Sequence, residues 1–510
     1  MSQTLEKTYL KLQNGSDVRG VALEGIEGER VNLTPEIAMY IAAAFAEYLG
    51  ETCGKAQEEL KISVGHDSRL SANALKAGVL QGIQKQGCQP VDCSLASTPS
   101  MFMSTVLPEV DCDGAIMITA SHLPFNRNGL KFFTKGGGLE SKDIKVVLQK
   151  AIALEENGIA PKAEKAIMLL DLIKYYSANL RRIICEETGC VEEDKPLAGM
   201  HFVVDASNGA GGFFATQVLE PLGADISGSI YLDPDGTFPN HVPNPENEKA
   251  MNCIRTATTE NNADLGIIFD TDVDRAATVF PSGKEINRNA LIALMAAIVA
   301  QKSPGSTVVT DSVTSDQLEM FLEDRLGLKH HRFKRGYRNV INESVRLNKE
   351  GIVSELAIET SGHGALKENY FLDDGAYMSV KILCEVVRCK RAGKSIENLL
   401  EGLEEAVESK EIRIGIQLDE FKEYGFKVLD DFKEFAAEDP RFHIVEPNYE
   451  GVRISFKDEE VQGWMLVRMS LHDPILPMNI ETDNEGGVAV VIERIRPFFE
   501  RYEALELKGF

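Results

Sequence analysis

The chain has 510 residues, 43% of them hydrophobic and 26% charged, a near-average globular composition that excludes a disordered, collagen-like or disulfide-scaffold protein. At roughly 100–200 residues per domain, three or four domains are expected. The net charge of −25 repels phosphate backbones and acidic lipid surfaces, so neither nucleic acid nor a membrane is an expected partner, and an anionic substrate requires a local basic pocket.

The N-terminal stretch MSQTLEKTYLKLQ is polar and charged, without the apolar core of a signal peptide. A first basic cluster follows in NGSDVRG, with Ser16 and Arg19. Next comes KISVGHDSR, a helical run from Ala72 to Gly87, and the strand CQPVDCS. Two later stretches repeat this outline. One is MHFVVDASNGAGG, the helix FFATQVLEPLG and the strand ADISGSI; the other is STVVTDSVTSD, the helix QLEMFLEDRLG and the strand LKHHRFK. Each is a short apolar run ending at an aspartate (Asp67, Asp205, Asp311) and continuing into an amphipathic helix, the pattern of βαβ units. Ligands gather at the carboxyl ends of such strands, although each aspartate also reads as a turn or N-cap residue.

Four segments carry chemistry. In DGAIMITASHLPFNRNGLKFF (113–133), a buried strand delivers Ser121 onto a tight loop, and His122 and Lys131 can supply positive charge. Such a serine suits a nucleophile or phosphoryl carrier, or an ordinary turn cap; the lack of Gly-x-Ser-x-Gly argues against a hydrolase elbow. In ADLGIIFDTDVDRAATVF (263–280), an apolar strand delivers Asp270, Asp272 and Asp274. Carboxylates so close repel without a cation, and an all-oxygen set favours Mg²⁺. Arg275 follows and can meet a phosphate. An EF-hand is excluded by Pro281 at the twelfth position. In SELAIETSGHGALKENYFLDDGA (354–376), a strand ends at Glu359, and Glu359 and Ser361 can bind sugar hydroxyls; His363 reads equally as a surface histidine. In GWMLVRMSLHDPILPMNIET (463–482), Arg468 and Ser470, followed by His472, suit an anion site or a surface ion pair. A second basic cluster, FKRGYRNV, offers Lys334, Arg335 and Arg338 around Gly336.

The last part of the chain alternates differently. EIRIGIQ, VRISFK and GWMLVRMS read as half-buried antiparallel strands, and FKVLDDFKEFAAE and GVAVVIERIRPFFERYEAL as helices. Linkers are expected at 153–166, near Pro281 and Gly283, and around Gly393 to Ser395. Nine cysteines without a Cys-x-x-Cys pair read as reduced thiols, and the longest apolar run, Ala290 to Ala300, falls short of a membrane span. A cytoplasmic protein is expected.

Taken in order, these motifs resemble the α-D-phosphohexomutases, the phosphoglucomutase/phosphomannomutase family, over nearly the whole chain. TASHLPFNRNGLKFF is similar to the family's phosphoserine loop, DTDVDR to its metal loop, ETSGH to its sugar-binding loop and RMSLHDP to its phosphate loop. NGSDVRG, GHDSR and PDGTFPNHVPNPE also match family segments. The resemblance implies a four-domain, heart-shaped α/β fold: three related α/β domains (1–167, 168–284 and 285–397) and a C-terminal α+β domain (398–510).

It further implies a Mg²⁺-dependent mutase that interconverts hexose 1-phosphate and hexose 6-phosphate, of glucose or mannose. The route is an active-site phosphoserine at Ser121 and a hexose 1,6-bisphosphate intermediate, with glucose 1,6-bisphosphate or a related bisphosphate as activator. Asp270, Asp272 and Asp274, together with Ser121, would hold the metal. Lys131, with Arg19 or His122, would serve as general acid/base. Arg275, Arg338, Glu359, Ser361, His363, Arg468, Ser470 and His472 would bind substrate. The partners implied are small-molecule hexose phosphates, and the protein would be a monomer or homodimer.

Leu123 stands where the family has Asn, Thr271 where it has Gly, and Leu471, His472 and Asp473 where it has Gly-Thr-Glu. The last change removes a hydroxyl donor from the phosphate loop. Alternative readings are a phosphoglucosamine mutase, a weakly active or non-catalytic sugar-phosphate-binding paralogue, and a haloacid-dehalogenase-like phosphatase with Asp270 as nucleophile.

Overall fold

The computed structural model describes residues 2–470 and 473–510. They form two compact units: residues to Asn287 with Ser361–Asn398, and Arg288–Thr360 with Leu399–Phe510.

The first unit holds two sheets. In the larger, the strands run in the order Gln13–Asn14, Asp17–Val21, Arg127–Thr134, Gly114–Ile118, Lys61–His66, Gln89–Leu95, Met168–Leu169, with Gly137–Gly138 against Arg127–Thr134. Lys61–His66 pairs in parallel with both Gln89–Leu95 and Gly114–Ile118, whereas Arg127–Thr134 is antiparallel to its neighbours. The helix Pro35–Cys53 is started by the Thr34 side chain and Pro35, and stopped by Gly54 in the left-handed conformation. Ala72–Lys85 packs so closely on it that a Cβ at Gly78 would stand 2.0 Å from the Pro35 carbonyl oxygen. Both helices bury their apolar faces with the sheet in one core.

The second sheet of this unit runs Glu285–Ile286, Ala276–Val279, Leu265–Phe269, Phe202–Asp205. Leu265–Phe269 is buried along its whole length and parallel to Phe202–Asp205. Two expectations fail beside it. The run FFATQVLEPLG is not an α-helix but a π-helical segment, Phe214–Leu219, followed by a single 3₁₀ turn, Glu220–Leu222; Pro221 has no N–H to continue an α-helical ladder. The run ADISGSI makes two isolated bridges (His201 to Asp225, Asp205 to Ile230) instead of a strand. There the Asp225 side chain accepts from the Ser227 N–H, and Gly228 turns the chain at a φ of 82°. Pro281 to Gly283 is a hairpin turn within this sheet, and the helix Ser141–Asn157 extends into the stretch expected as a linker at 153–166.

In the second unit, Thr307–Thr310 lies in parallel between Lys329–Arg332 and Ser354–Ile358. The expected helix after Asp311 begins as Asp316–Met320 and widens to a π-helix over Phe321–Arg325; nothing in the structure explains that widening. The C-terminal sheet follows the order His443–Ile444, Val452–Lys457, Gln462–Val467, Ile475–Thr482, Glu408–Ile416, Leu505–Glu506, every pair antiparallel. Phe421–Glu438 and Gly487–Phe499 cover it through an aromatic-rich core. Arg453, fully buried, lies 3.9 Å over the Trp464 ring and donates to the carbonyls of Ser312 and Thr314 at 3.1 and 3.0 Å. Among the described residues, no helix is long and apolar enough to cross a membrane.

The Trp464 indole N–H donates to Glu481 at 3.0 Å, and burial pushes the Glu481 carboxyl up to about 7. A carboxyl raised in the folded state binds a proton that the unfolded chain has released, so its ionisation destabilises the fold as pH rises from the ordinary glutamate value towards 7. Glu481→Gln keeps the acceptor oxygen and abolishes the titration. Urea unfolding at pH 5 and pH 8 is expected to show the variant gaining about 1–3 kcal/mol on the wild type at the higher pH. An equal difference at both values would refute the shifted carboxyl.

Candidate active site

The strand Gly114–Ile118 ends at the loop that carries Ser121. Ser121 is buried and holds a φ of 49°, a left-handed conformation that a non-glycine residue adopts only when its surroundings enforce it. The enforcing group is Arg69. Its guanidinium is wholly buried and donates to the carbonyl of Ser121 and to those of Leu123, Pro124 and Arg127 at 2.6, 2.8 and 3.0 Å. Asp67, at the end of Lys61–His66, aims it: the Arg69 backbone N–H donates to Asp67 at 2.9 Å, and the Arg69 Nε lies 3.3 Å from the carboxylate. Leu123, where the resembled family has Asn, takes part in this grip only through its carbonyl. The Ser121 N–H donates to Thr119 Oγ1 at 2.9 Å. The Ser121 Oγ donates to Asp270 Oδ2 at 2.9 Å and lies 3.4 Å from the Nδ1 of His122.

Leu265–Phe269 delivers the three aspartates. Asp270, Asp272 and Asp274 are all buried, and one carboxylate oxygen from each lies within 4.8 Å of the others. The loop between them is strained, since Val273, a β-branched residue, sits at a φ of 68°. Two close approaches hold it. The Gly375 N–H donates to the Val273 carbonyl at 3.1 Å, and Gly209 packs against the Thr271 backbone where no Cβ would fit. The Thr98 N–H donates to the Asp272 carbonyl at 2.8 Å, and its hydroxyl to the Asp272 carboxylate. Lys131 Nζ meets the Asp274 carboxylate and lies 3.3 Å from Asp272.

Burial raises Asp270 well above the usual carboxylate range, reinforced by the charges of Asp274 and Asp272. Asp274 is buried too, but Lys131, His363 and Arg275 hold it below that range. Asp272 Oδ1 and Asp274 Oδ1 are buried without a hydrogen-bond partner. Three converging carboxylates with orphaned oxygens fit a hard divalent cation.

The basic residues surround this cluster. Arg19 pairs with Asp17 at 2.8 Å and donates to the Thr119 carbonyl. Arg275 is half-buried, its backbone bridges that of His363, and Glu246 lies 4.0 Å away. His363 pairs with Asp373 and lies 3.9 Å from Asp274; burial would lower it, but these acids raise it above the ordinary histidine value. His122 departs from expectation. The Arg275 charge, burial and Arg19 push its imidazole down to about 2, so it is neutral and supplies no positive charge. Ser361 is buried on the segment leading to His363. The first unit thus gathers Ser121, His122, Lys131, Arg19, the three aspartates, Arg275 and His363.

The second unit holds the other expected residues. Glu359 follows the strand Ser354–Ile358 and accepts from the Gly336 N–H at 2.5 Å. Gly336, at a φ of 114°, opens the helix Tyr337–Lys349, with Arg338 in its first turn. Arg468 and Ser470 lie just beyond Gln462–Val467, and their N–H groups donate to Pro477 and Ile475 at 3.1 Å. Burial lowers the Arg468 guanidinium, and Glu450, 3.7 Å away, opposes that shift. His472 lies outside the described residues. Sequence reasoning missed Arg69, Thr98, Asp373 and Glu450. For Arg69 a signal existed, an arginine two residues past a strand-ending aspartate; for Glu450 there was none.

Family profiles described as phosphoglucomutase/phosphomannomutase alpha/beta/alpha domains I, II and III match residues 11–157, 183–283 and 287–406. A phosphoglucomutase/phosphomannomutase from Thermococcus kodakarensis is 30% identical over 485 residues, 95% of this chain and 97% of that protein. A phosphomannomutase/phosphoglucomutase from Pseudomonas putida is 28% identical over 461 residues, 90% of this chain and 91% of that protein. Among solved structures, a phosphoglucomutase/phosphomannomutase family protein from Burkholderia thailandensis shares the fold with a TM-score of 0.74 at 24% identity, over 96% of each chain.

The grip of Arg69 on the serine loop is testable apart from any activity. Lysine keeps the charge but cannot span the four carbonyls. Arg69→Lys is expected to cost about 2–4 kcal/mol of stability, because buried acceptors lose their donors. Amide hydrogen exchange over residues 119–128 should accelerate; unchanged protection there would show that the loop holds itself.

Proposed function

We propose, because the chain belongs to the phosphoglucomutase/phosphomannomutase family, that it interconverts hexose 1-phosphates and hexose 6-phosphates by way of a phosphoserine at Ser121. The observation that carries the residue assignment is the Ser121 hydroxyl, held in a strained loop and hydrogen-bonded at 2.9 Å to the first of three converging buried aspartates.

In the first half-reaction, phosphorylated Ser121 gives its phosphoryl group to the free hydroxyl of a bound hexose monophosphate. The Oγ–P bond breaks, a P–O bond to the sugar forms, and the sugar hydroxyl's proton leaves to a base. The product is a hexose 1,6-bisphosphate. In the second half, the other phosphate of that intermediate faces Ser121, whose Oγ attacks it and releases the isomeric monophosphate. A trace of glucose 1,6-bisphosphate primes the serine.

Lys131 presents its ammonium beside Asp272 and Asp274, where it can offset charge on the transferring group and hand a proton to a leaving oxygen. His122, neutral and 3.4 Å from the Ser121 Oγ, can orient that oxygen, but the charges and burial that hold it neutral make it a poor proton acceptor, which leaves Lys131 as the acid/base candidate. Arg19 secures the loop through the Thr119 carbonyl. Asp270, Asp272 and Asp274, with Ser121, would hold Mg²⁺, which supplies Lewis-acid polarisation of the phosphoryl group. Arg275 and His363 add positive charge in the same unit. Glu359 and Ser361 would bind hydroxyls in the middle of the sugar, and Arg338, Arg468, Ser470 and His472 the phosphate that is not reacting. Free hexose phosphates imply work in the cytoplasm.

A ³¹P NMR time course with Mg²⁺, a trace of glucose 1,6-bisphosphate and, in separate tubes, the α-1-phosphates of glucose, mannose and glucosamine tests this reading. A 6-phosphate signal is expected to grow in the glucose or mannose tube and to stop on chelation of Mg²⁺. Ser121→Ala should lower that rate by about three orders of magnitude or more, the scale on which loss of a nucleophile acts. Release of free phosphate, or substantial turnover by the variant, would overturn the phosphoserine route.

A further inference from the structure

Within the second unit, Glu450 occupies an unusual place for a carboxylate. Its Oε1 lies 3.7 Å from the Arg468 guanidinium, and its Oε2 accepts from the Ser312 hydroxyl at 2.6 Å and from the Arg335 N–H at 3.0 Å. Both charged partners are largely shielded from water, at 11% exposure for Arg468 and 13% for Glu450. Arg468 Nε is buried without a hydrogen-bond partner.

The contact is built, not incidental. The neighbouring Tyr449 ring packs on Phe333 and His331 at 4.9 and 5.4 Å. Asn448 donates to the Glu450 carbonyl at 2.9 Å. Arg453, stacked on Trp464, holds the Ser312 carbonyl at 3.1 Å and so presents the Ser312 hydroxyl to Glu450.

A guanidinium, a hydroxyl and a backbone N–H are a donor set that suits a phosphate. Here a tethered carboxylate accepts from the hydroxyl and the N–H and stands 3.7 Å from the guanidinium. We infer that Glu450 is a specificity-determining residue, an internal anion fixed beside Arg468 of the distal-phosphate subsite that tempers the affinity of this arginine for a dianionic substrate. This rests on the assignment of Arg468 to that phosphate. A phosphate arriving at Arg468 must displace the carboxylate from its donors or bind beside it, and either weakens binding.

Glu450→Gln keeps the shape and an acceptor oxygen for Ser312 and Arg335 but removes the charge. Calorimetric titration of the full chain with inorganic phosphate and with glucose 6-phosphate, at fixed ionic strength, reads the effect without turnover. Glu450→Gln is expected to bind both about tenfold more tightly, the scale of one screened like-charge contact. Glu450→Asp, which keeps the charge, should stay near the wild type, and Arg468→Met should lose most of the affinity.

Unchanged or weaker binding by Glu450→Gln, with loss of binding by Arg468→Met, overturns this inference and leaves the subsite assignment standing. Wild-type binding by Arg468→Met overturns the assignment and the inference together. Should Glu450→Gln fail to fold, Glu450→Ala decides instead: binding no tighter than that of Glu450→Asp overturns the inference.

Discussion

Three buried carboxylates within 4.8 Å of one another are the constraint that the first unit is built around. Burial disfavours each charge, and each disfavours the others. Nothing apolar can relieve that, so the compensation is electrostatic: Lys131 against Asp274 and Asp272, and Arg275 with its backbone N–H on Asp270. The compensation is incomplete, because two carboxylate oxygens stay without a donor and Asp270 is pushed far above its ordinary range. A site left short of positive charge in this way attracts a cation. His122 is neutral for a separate reason: Arg275, burial and Arg19 make a further positive charge at that imidazole costly, and Asp274 opposes them only in part.

Holding such a cluster requires backbone that would otherwise relax. Ser121 and Val273 both sit in the left-handed region, one on each side of the 2.9 Å hydrogen bond from Ser121 to Asp270. Conformations of this kind cost of order 1–3 kcal/mol each and persist only where neighbours over-determine them. Arg69 does this for the serine loop by taking its carbonyls. Gly375 and Gly209 do it for the aspartate loop, by letting other backbone approach where a Cβ could not stand. The glycines matter here for the room they leave, not for their own flexibility.

What the sequence made legible was local. A buried strand feeding alternating aspartates, a strand ending in Thr-Ala-Ser-His, and the repeated strand, aspartate and helix are each written in consecutive residues, and the structure builds those strands where they were read. What it hid depends on distant partners. The charge state of His122 is set by Arg275 and Arg19, far from it in the chain. The value of Arg69 appears only once the loop from Ser121 to Arg127 closes over it. Glu450 sits in NYEG, which carries no pattern, and gains meaning only beside Ser312, Arg335 and Arg468. The failed helix at Phe214–Leu219 was visible in principle, because Pro221 stands inside the run.

On the proposed assignment, Arg338, Arg468 and Ser470 would grip an anion that does not react. In a mutase that hands the same intermediate back in two orientations, tight uniform binding of that anion would stabilise substrate, intermediate and product alike and gain nothing in the transition state. It would also slow the exchange of orientations that the reaction needs. A chain with a net charge of −25 already opposes anions at long range. A carboxylate 3.7 Å from the half-buried Arg468 extends that opposition to short range, where screening by salt is weakest. On this view the acidity of the protein and the presence of Glu450 act in one direction: phosphate is held firmly enough to be oriented and loosely enough to be let go.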